Sequence, residues 1–276
     1  NTAVAVWGVK EHYDYVRPLS AIRYLGRTGD LPFTPGLVEE ITPATIASYH
    51  SHLSDHSGKI AVNTWPGEPA DPITQSGGRA WILAEEWLPY QRDTFVTPAF
   101  AGYVSGHSGF SRAAAEVMTL MTGSPYFPGG LSSHTILAGG LLFEYGPTVD
   151  LTLQWATYYD AADEAGESRL YGGIHVSPDD GPGRIMGSLI GQSAFTYAQK
   201  FWDGSVLQLS TVDLGETGEL TYHSIPGYHY TLESGTHPDS FPTIEATPGI
   251  ATGHENTITV PTADPARFFR FKITGP

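Results

Sequence analysis

Lys10 with Arg17-Pro18, Ser105-Gly106-His107, and Ser168-Arg169 with His175 lie far apart in the chain, yet together they supply what is needed to wrap a tetrahedral oxyanion. Two guanidiniums and an ammonium are strong, charge-assisted donors. A hydroxyl, the exposed amide of Gly106 and two imidazoles complete a set able to reach every oxygen of a phosphate-like group. Phosphate and vanadate are near-isosteres, so one such cage can run phosphate hydrolysis or peroxide chemistry.

Each piece has its own logic and its own plainer reading. Ser105-Gly106-His107-Ser108 precedes a strongly helical stretch, 108–121, and a helix N-terminus points unsatisfied N–H groups at whatever sits there. Gly106 permits close approach, Ser105 can donate, and His107 can act as acid or base; the plainer reading is a simple helix cap. Lys10 and Arg17 are seven residues apart, close to two helical turns, which predicts one shared helix face. An ordinary solvated face has the same spacing, and Trp7, one turn before Lys10, either flanks that face or packs in the core. Arg169 offers a fork, and His175 a nucleophile or metal ligand. Asp179 lies close enough in sequence to accept the second N–H of that ring. Gly172-Gly173 lets the chain turn tightly between them.

Two other clusters are set aside. His50, His52, Asp55 and His56 have ligand-like spacing but sit in a polar loop with no fixed helix face. Asp160, Asp163, Glu164 and Glu167 read as a solvated face, or as partners holding Arg169 and other cations.

The elements that must position these groups follow from pattern. With 276 residues, 40% hydrophobic and 12% aromatic, the chain is too apolar for disorder; 32 Gly and 21 Pro point to ordered, loop-rich structure. A net charge of -15 argues against nucleic acid or an anionic membrane as partner, and the absence of cysteine excludes disulfides and thiol chemistry. No apolar window is long enough to span a membrane. The start, Asn1-Thr2-Ala3-Val4, reads as mid-helix without an initiator Met, which suggests a processed or truncated product. Helices are expected over 4–25 (broken at Pro18), 43–54, 79–88, 108–121, 149–167 and 183–202, with a Gly/Pro-rich connection over 122–148. The last helix carries small residues on one face (Gly187, Gly191, Ala194, Ala198), suited to close packing. Beyond 203 the pattern alternates at 206–210, 219–222, 228–232, 257–260 and 267–273. The fold class is therefore mainly α: a helical bundle over 1–202, followed by a small β-sandwich over 203–276.

In this order the stretches KEHYDYVRP (10–18, with the cations at Lys10 and Arg17), VSGHS (104–108) and SRLYGGIHVSPD (168–179) resemble the vanadium-dependent haloperoxidases. That family belongs to the superfamily of bacterial acid phosphatases and lipid phosphatases. The resemblance implies a helical vanadate-binding domain in which His175 bonds to vanadium, backed by Asp179, while Lys10, Arg17, Ser105, Gly106 and Arg169 hold the oxygens. It implies catalytic roles for His107, Lys10 and Arg169, and a halide pocket formed by Trp7, Phe100 and Ser108. The implied partners are hydrogen peroxide, a halide (iodide, bromide or chloride) and a small organic acceptor, giving a hypohalous acid equivalent. The chain departs from the family pattern at Val104, where Pro is usual, and at Ser108, where fungal chloroperoxidases carry Ala and where a hydroxyl would then face the halide or peroxide. The family's N-terminal helices have no counterpart here, which implies an N-terminal fragment of the same protein as partner. The tail ending ADPARFFRFKI resembles modules appended to secreted bacterial enzymes, implying a secreted or periplasmic location. Two alternatives stay open: a phosphomonoesterase, in which His175 forms a phosphohistidine and His107 protonates the leaving group, and a non-catalytic anion-binding or adhesive protein.

Overall fold

The structure, a computed structural model, describes residues 1–203, 218–237, 239–251, 253, 255–260 and 268–274. They divide into two compact units, Asn1–Phe195 and Thr196–Pro276. No helix among the described residues is long and apolar enough to cross a membrane.

The first unit opens with α1 (Thr2–Tyr13), which stops at Asp14, a left-handed residue with φ 44° whose N–H caps the Lys10 carbonyl. An extended stretch leads to Arg17, the N-cap of α2 (Pro18–Thr28), where Pro18 occupies the first turn that tolerates it. Lys10 and Arg17 therefore do not share one helix face: the two-turn spacing is overridden by the break at Asp14. β1 (Val38–Glu40), β2 (Ile60–Thr64) and β3 (Ala80–Leu83) form an antiparallel sheet in that order, with Val62 opposite both Val38 and Ile82. The helix expected at 43–54 is split. α3 (Pro43–Ser48) starts in a Thr42/Thr45 capping box, and a 3-10 segment follows from Ser51 to His56. The helix expected at 79–88 is β3 and a short 3-10 turn, Ala84–Glu86, because the apolar run Trp81-Ile82-Leu83 finds β2 as a pairing partner.

α4 (Gly106–Thr122) begins at its N-cap Ser105 and ends at Gly123, left-handed at φ 71°. The expected connection and helix after it are re-divided. β4 (Ser132–Ile136) pairs with β5 (Leu151–Trp155), and only then does α5 (Tyr158–Tyr171) start, in a Thr157/Asp160 capping box. α6 (Ser177–Trp202) starts six residues earlier than expected and carries Pro182 inside it. Ala115, Tyr158 and Ala162 form the core between α4 and α5, with Phe127 and Tyr159 packed on it.

Backbone contacts fix the elements that carry the site. A Cβ on Gly183, Gly187 or Gly191 of α6 would lie 2.9, 2.3 or 2.7 Å from the carbonyl oxygens of Ser105, Gly109 and Ala113, so α6 lies directly on the α4 backbone. The small-residue face expected of this helix does this job at Gly187 and Gly191. Gly187→Ala should cost about 3 kcal/mol of stability, since a backbone atom cannot move aside as a side chain can; thermal unfolding reads this directly. The turn at Gly172-Gly173 is backed by side chains instead, with a Cβ on Gly173, itself left-handed at φ 71°, falling 3.2 Å from the Trp87 ring and 3.3 Å from Pro89 Cβ.

The second unit contains β6 (Glu219–His223), β7 (His229–Gly235), β8 (Thr243–Ile250), β9 (Glu255–Thr259) and β10 (Phe268–Thr274). β10, β7 and β8 form one antiparallel sheet, β6 and β9 another. Their apolar residues share two clusters, Leu220, Leu232 and Val260, and Tyr222, Tyr230 and Ala251, with Ile258 and Phe271 touching both. The strand expected at 206–210 lies outside the described residues, and β8 was not anticipated from the sequence.

Candidate active site

All the sequence-derived site residues belong to the first unit. Lys10 and Arg17 are almost wholly buried, at 3% and 5% exposure. Neither leans on a carboxylate for its hydrogen bonds. The Lys10 ammonium donates to the carbonyls of Ala101 (2.8 Å) and Gly102 (2.9 Å). The Arg17 guanidinium donates to Phe100 O at 2.7 Å, Ala101 O at 3.3 Å and Ile174 O at 3.0 Å. The extended segment 100–102 thus acts as a neutral anchor, which sequence reasoning missed because backbone acceptors carry no residue signature.

Arg17 Nη1 also sits 3.2 Å from His175 Nε2, while His175 Nδ1 lies 2.7 Å from Asp179 Oδ2. A carboxylate only accepts, so the proton is assigned to Nδ1 and the Nε2 lone pair faces the cations. That tautomer is the one able to ligate or to attack. Asp179 is held in turn by its own neighbours: its carbonyl accepts from Ser105 N–H at 2.9 Å and Oδ2 from Val176 N–H at 3.4 Å. Ser105 caps α4, its hydroxyl accepting from Ser108 N–H at 3.4 Å. The capping and anion-binding readings of this turn are therefore compatible, with Gly106 at the first helical position. Ser168 turns away, donating to Ala165 O on its own helix.

The electrostatics mark the cluster as a positive one. Burial, then the charge of Arg17, lowers the Lys10 pKa to about 8. Burial lowers Arg17 to about 10, with Asp179 opposing and Arg169 reinforcing the shift. Burial also lowers Arg169, whose Nε is buried without a hydrogen-bond partner, as is Asp179 Oδ1. His107 is pushed down by partial desolvation of its ring, then by Arg169 and His175; His175 is pushed down chiefly by burial, against its bond to Asp179. Lys10 and Arg17 thus share Asp179 as their carboxylate neighbour, with the charge of Arg169 close to Arg17. Such a group is costly to bury alone and is relieved by an anion.

This has a measurable consequence. Lys10 must be charged to help hold an anion, so affinity should fall as pH rises through about 8. Sulfate keeps a constant charge over that range, and its calorimetric affinity between pH 6.5 and 9.5 isolates the protein's titration. An unchanged affinity would remove Lys10 from the site.

Trp7 and Phe100 meet with ring centroids 5.0 Å apart, and Phe110 stacks on Trp7 at 6.1 Å. Lys10 Nζ and Arg17 Cζ lie 5.4 and 5.1 Å from the Phe100 centroid, within cation–π range. Trp7, Phe100 and Lys10 line a cavity of about 620 Å³ whose rim includes Glu11 and Asp14. Ser108 is not part of this wall, which corrects the expected halide-side hydroxyl. It is 0% exposed, and its Oγ donates to Asp180 Oδ1 at 2.6 Å. The acidic run of α5 does not hold Arg169 either. Asp163 and Glu167 pair with Arg184, Asp163 also with Arg112, Asp160 caps the helix, and Glu164 accepts from Trp155. His50 is buried 3.8 Å from Glu39, and His52 bonds to Trp81 O; among the described residues no three His, Asp or Glu side chains converge on a metal-ion position.

Buried cations and two histidines gathered by packed helices define a helical-bundle domain with a cationic cluster of the size and charge that would suit an oxyanion. The family model of the VCPO second helical-bundle domain matches residues 1–204, and the chain belongs to the vanadium-dependent haloperoxidase family. Two solved structures of a bacterial vanadium-dependent chloroperoxidase, apo and holo, superpose with TM-scores of 0.53 and 0.52 at 20% identity. Each covers 72% of this chain, but the chain spans only about a third of their length (34% and 33%). At that identity the likeness shows the fold alone. A bacterial vanadium-dependent iodoperoxidase is 30% identical over 40% of this chain and 23% of its own, with a TM-score of 0.29. No curated protein matches the chain.

Proposed function

We propose that this chain is the vanadate-binding domain of a haloperoxidase that oxidises iodide, bromide or chloride with hydrogen peroxide to a hypohalous acid equivalent. The observation that carries the reading is the pair of buried cations, Lys10 and Arg17, with half-buried Arg169 beside them, around a histidine whose Nε2 is left unprotonated by its bond to Asp179.

The donor set fits vanadate. His175 Nε2 would hold the metal. Lys10, Arg17, Arg169 with its unpartnered Nε, the Ser105 hydroxyl and the Gly106 N–H would hold its oxygens. When bound, vanadate supplies a Lewis acid that polarises peroxide without changing oxidation state. The chain's own residues do the rest. His107, exposed beside the cage and with its pKa lowered, is neutral near pH 7 and can take a proton from peroxide and return it later. Lys10, Arg17 and Arg169 stabilise the negative charge that develops on oxygen. Trp7 and Phe100 give the halide a partly apolar wall. In the same reading an N-terminal fragment of the same protein is a partner, the protein is secreted or periplasmic, and the C-terminal sheets are the layers of a small β-sandwich used for attachment or stability.

A phosphomonoesterase is the second reading, favoured by one specific arrangement: the Asp179–His175 pair leaves Nε2 as a nucleophile for phosphorus. Halogenation of a phenol-type dye with peroxide and each halide, with and without orthovanadate, separates the two. Vanadate-dependent turnover supports the haloperoxidase. Hydrolysis of a nitrophenyl phosphate that vanadate inhibits, without halogenation, overturns it in favour of the phosphatase.

A further inference from the structure

We infer that Ser108, Asp180 and Arg184 form a positioning node that keeps α4, α5 and α6 in register, acting on the bound oxyanion only through their neighbours. The inference rests on the site reading above and assigns this node a role that the reading did not include.

The node is a single meeting point of α4, α5 and α6. Ser108 Oγ on α4 donates to Asp180 Oδ1 at 2.6 Å. Arg184, one turn further along α6, donates Nε to the same oxygen at 3.1 Å and lies 2.8 Å from Oδ2 through Nη2, a fork on one carboxylate. Arg184 then reaches α5, with Nη1 3.0 Å from Asp163 Oδ1 and Nη2 donating to Asp163 O at 3.1 Å. α5 also contributes an absence of side chain. A Cβ on Gly166 would fall 2.5 Å from Asp180 Oδ1, 3.1 Å from Ser108 Oγ and 3.4 Å from Arg184 Nε. Only glycine there lets the three polar groups meet.

What makes this more than a buried ion pair is its spacing from the site. Ser108 follows His107 and donates its own N–H to Ser105. Gly166 stands one turn before Arg169. Asp180 follows Asp179, whose carbonyl already receives the Ser105 N–H. α4 is therefore pinned within a turn of residues 105–107, α5 within a turn of Arg169 and α6 within a turn of Asp179, while Lys10 and Arg17 are held separately by the 100–102 carbonyls. Arg184 pairs with Asp180, Asp163 and Glu167, so the charge of Asp180 is balanced within the node and is not directed at the cage cations. Buried ion pairs of this kind contribute little net stability compared with apolar packing, and their best-attested use is to fix register.

Ser108→Ala, Asp180→Asn and the double variant of the full chain test this. Orthovanadate and inorganic phosphate affinities are measured by calorimetry well below each unfolding midpoint, together with amide hydrogen exchange over 105–109 and 174–179. Each single variant should weaken orthovanadate binding about tenfold in folded protein, as loss of a ligand-orienting contact does. The double variant should be no worse than Asp180→Asn alone, because Ser108 acts through the Asp180 carboxylate. Exchange in both segments should quicken about tenfold. Lower unfolding midpoints with wild-type affinities and exchange rates would reduce the node to a stability element and overturn the inference. Should wild type bind neither anion, the proposed function falls, and exchange alone judges the node: unchanged rates overturn it. If Asp180→Asn does not fold, Ser108→Ala, which removes one hydroxyl, carries the same measurements.

Discussion

Protein with His175 replaced by alanine should emerge from gel filtration without vanadium, whereas His107→Ala should keep it and lose turnover by about 100- to 10,000-fold. The contrast follows from position. His175 is buried, its Nδ1 committed to Asp179 and its Nε2 pointed among the cations, so it is the one imidazole shaped to be a ligand. His107 sits on the first turn of α4, exposed beside the same cluster, suited to moving a proton rather than holding an ion. Metal analysis of both variants against wild type decides it, with circular dichroism checking that each is folded. Equal vanadium content and activity in wild type and His175→Ala would sink the assignment.

Arg17→Ala should be the most damaging change among the cations. Arg17 ties the end of the α1–α2 connection to Phe100, Ala101 and Ile174 at once, so its loss leaves the Ile174 carbonyl buried and unpaired. Each such group costs about 1–3 kcal/mol, and the anion loses a donor as well. The expected result is a lowered unfolding midpoint together with oxyanion affinity reduced at least about 100-fold, equivalent to about 2.7 kcal/mol. Arg17→Lys should recover the charge but not the fork, leaving affinity about tenfold below wild type. Calorimetry with sulfate beside thermal unfolding separates the two effects. An Arg17→Ala protein with wild-type affinity would show that the guanidinium is a strut alone.

Much of the site could be read from residue type, because few chemistries need two arginines, a lysine and two histidines in one place in so acidic a chain. Its geometry could not. Lys10 and Arg17 looked like neighbours on one helix because nothing in Asp14 announces a left-handed break, and their convergence depends on carbonyls some 90 residues away. Ser108 looked like part of the halide wall because its partner, Asp180, lies 72 residues further on. The helices with strong periodicity or a clear cap were legible, α4 above all. The short strands were not: β3 reads as helix until β2 is there to pair with it, and β8 contains Pro248 and Gly249. Such segments take their structure from partners, and local pattern says little about them.

The carbonyl anchors of Lys10 and Arg17 have a kinetic side. Because these cations are tethered by neutral oxygens, an arriving anion displaces no salt bridge to reach them, so entry needs no ion-pair exchange step. The whole chain nonetheless carries a net charge of -15, and an anion approaching from afar meets repulsion first. Salt screens that distant field, with a Debye length of about 10 Å at 0.1 M, far more than it screens a buried contact. Moderate ionic strength should therefore speed capture of an anion such as sulfate, the reverse of ordinary electrostatic steering, and give the site faster access in salty water than in dilute buffer.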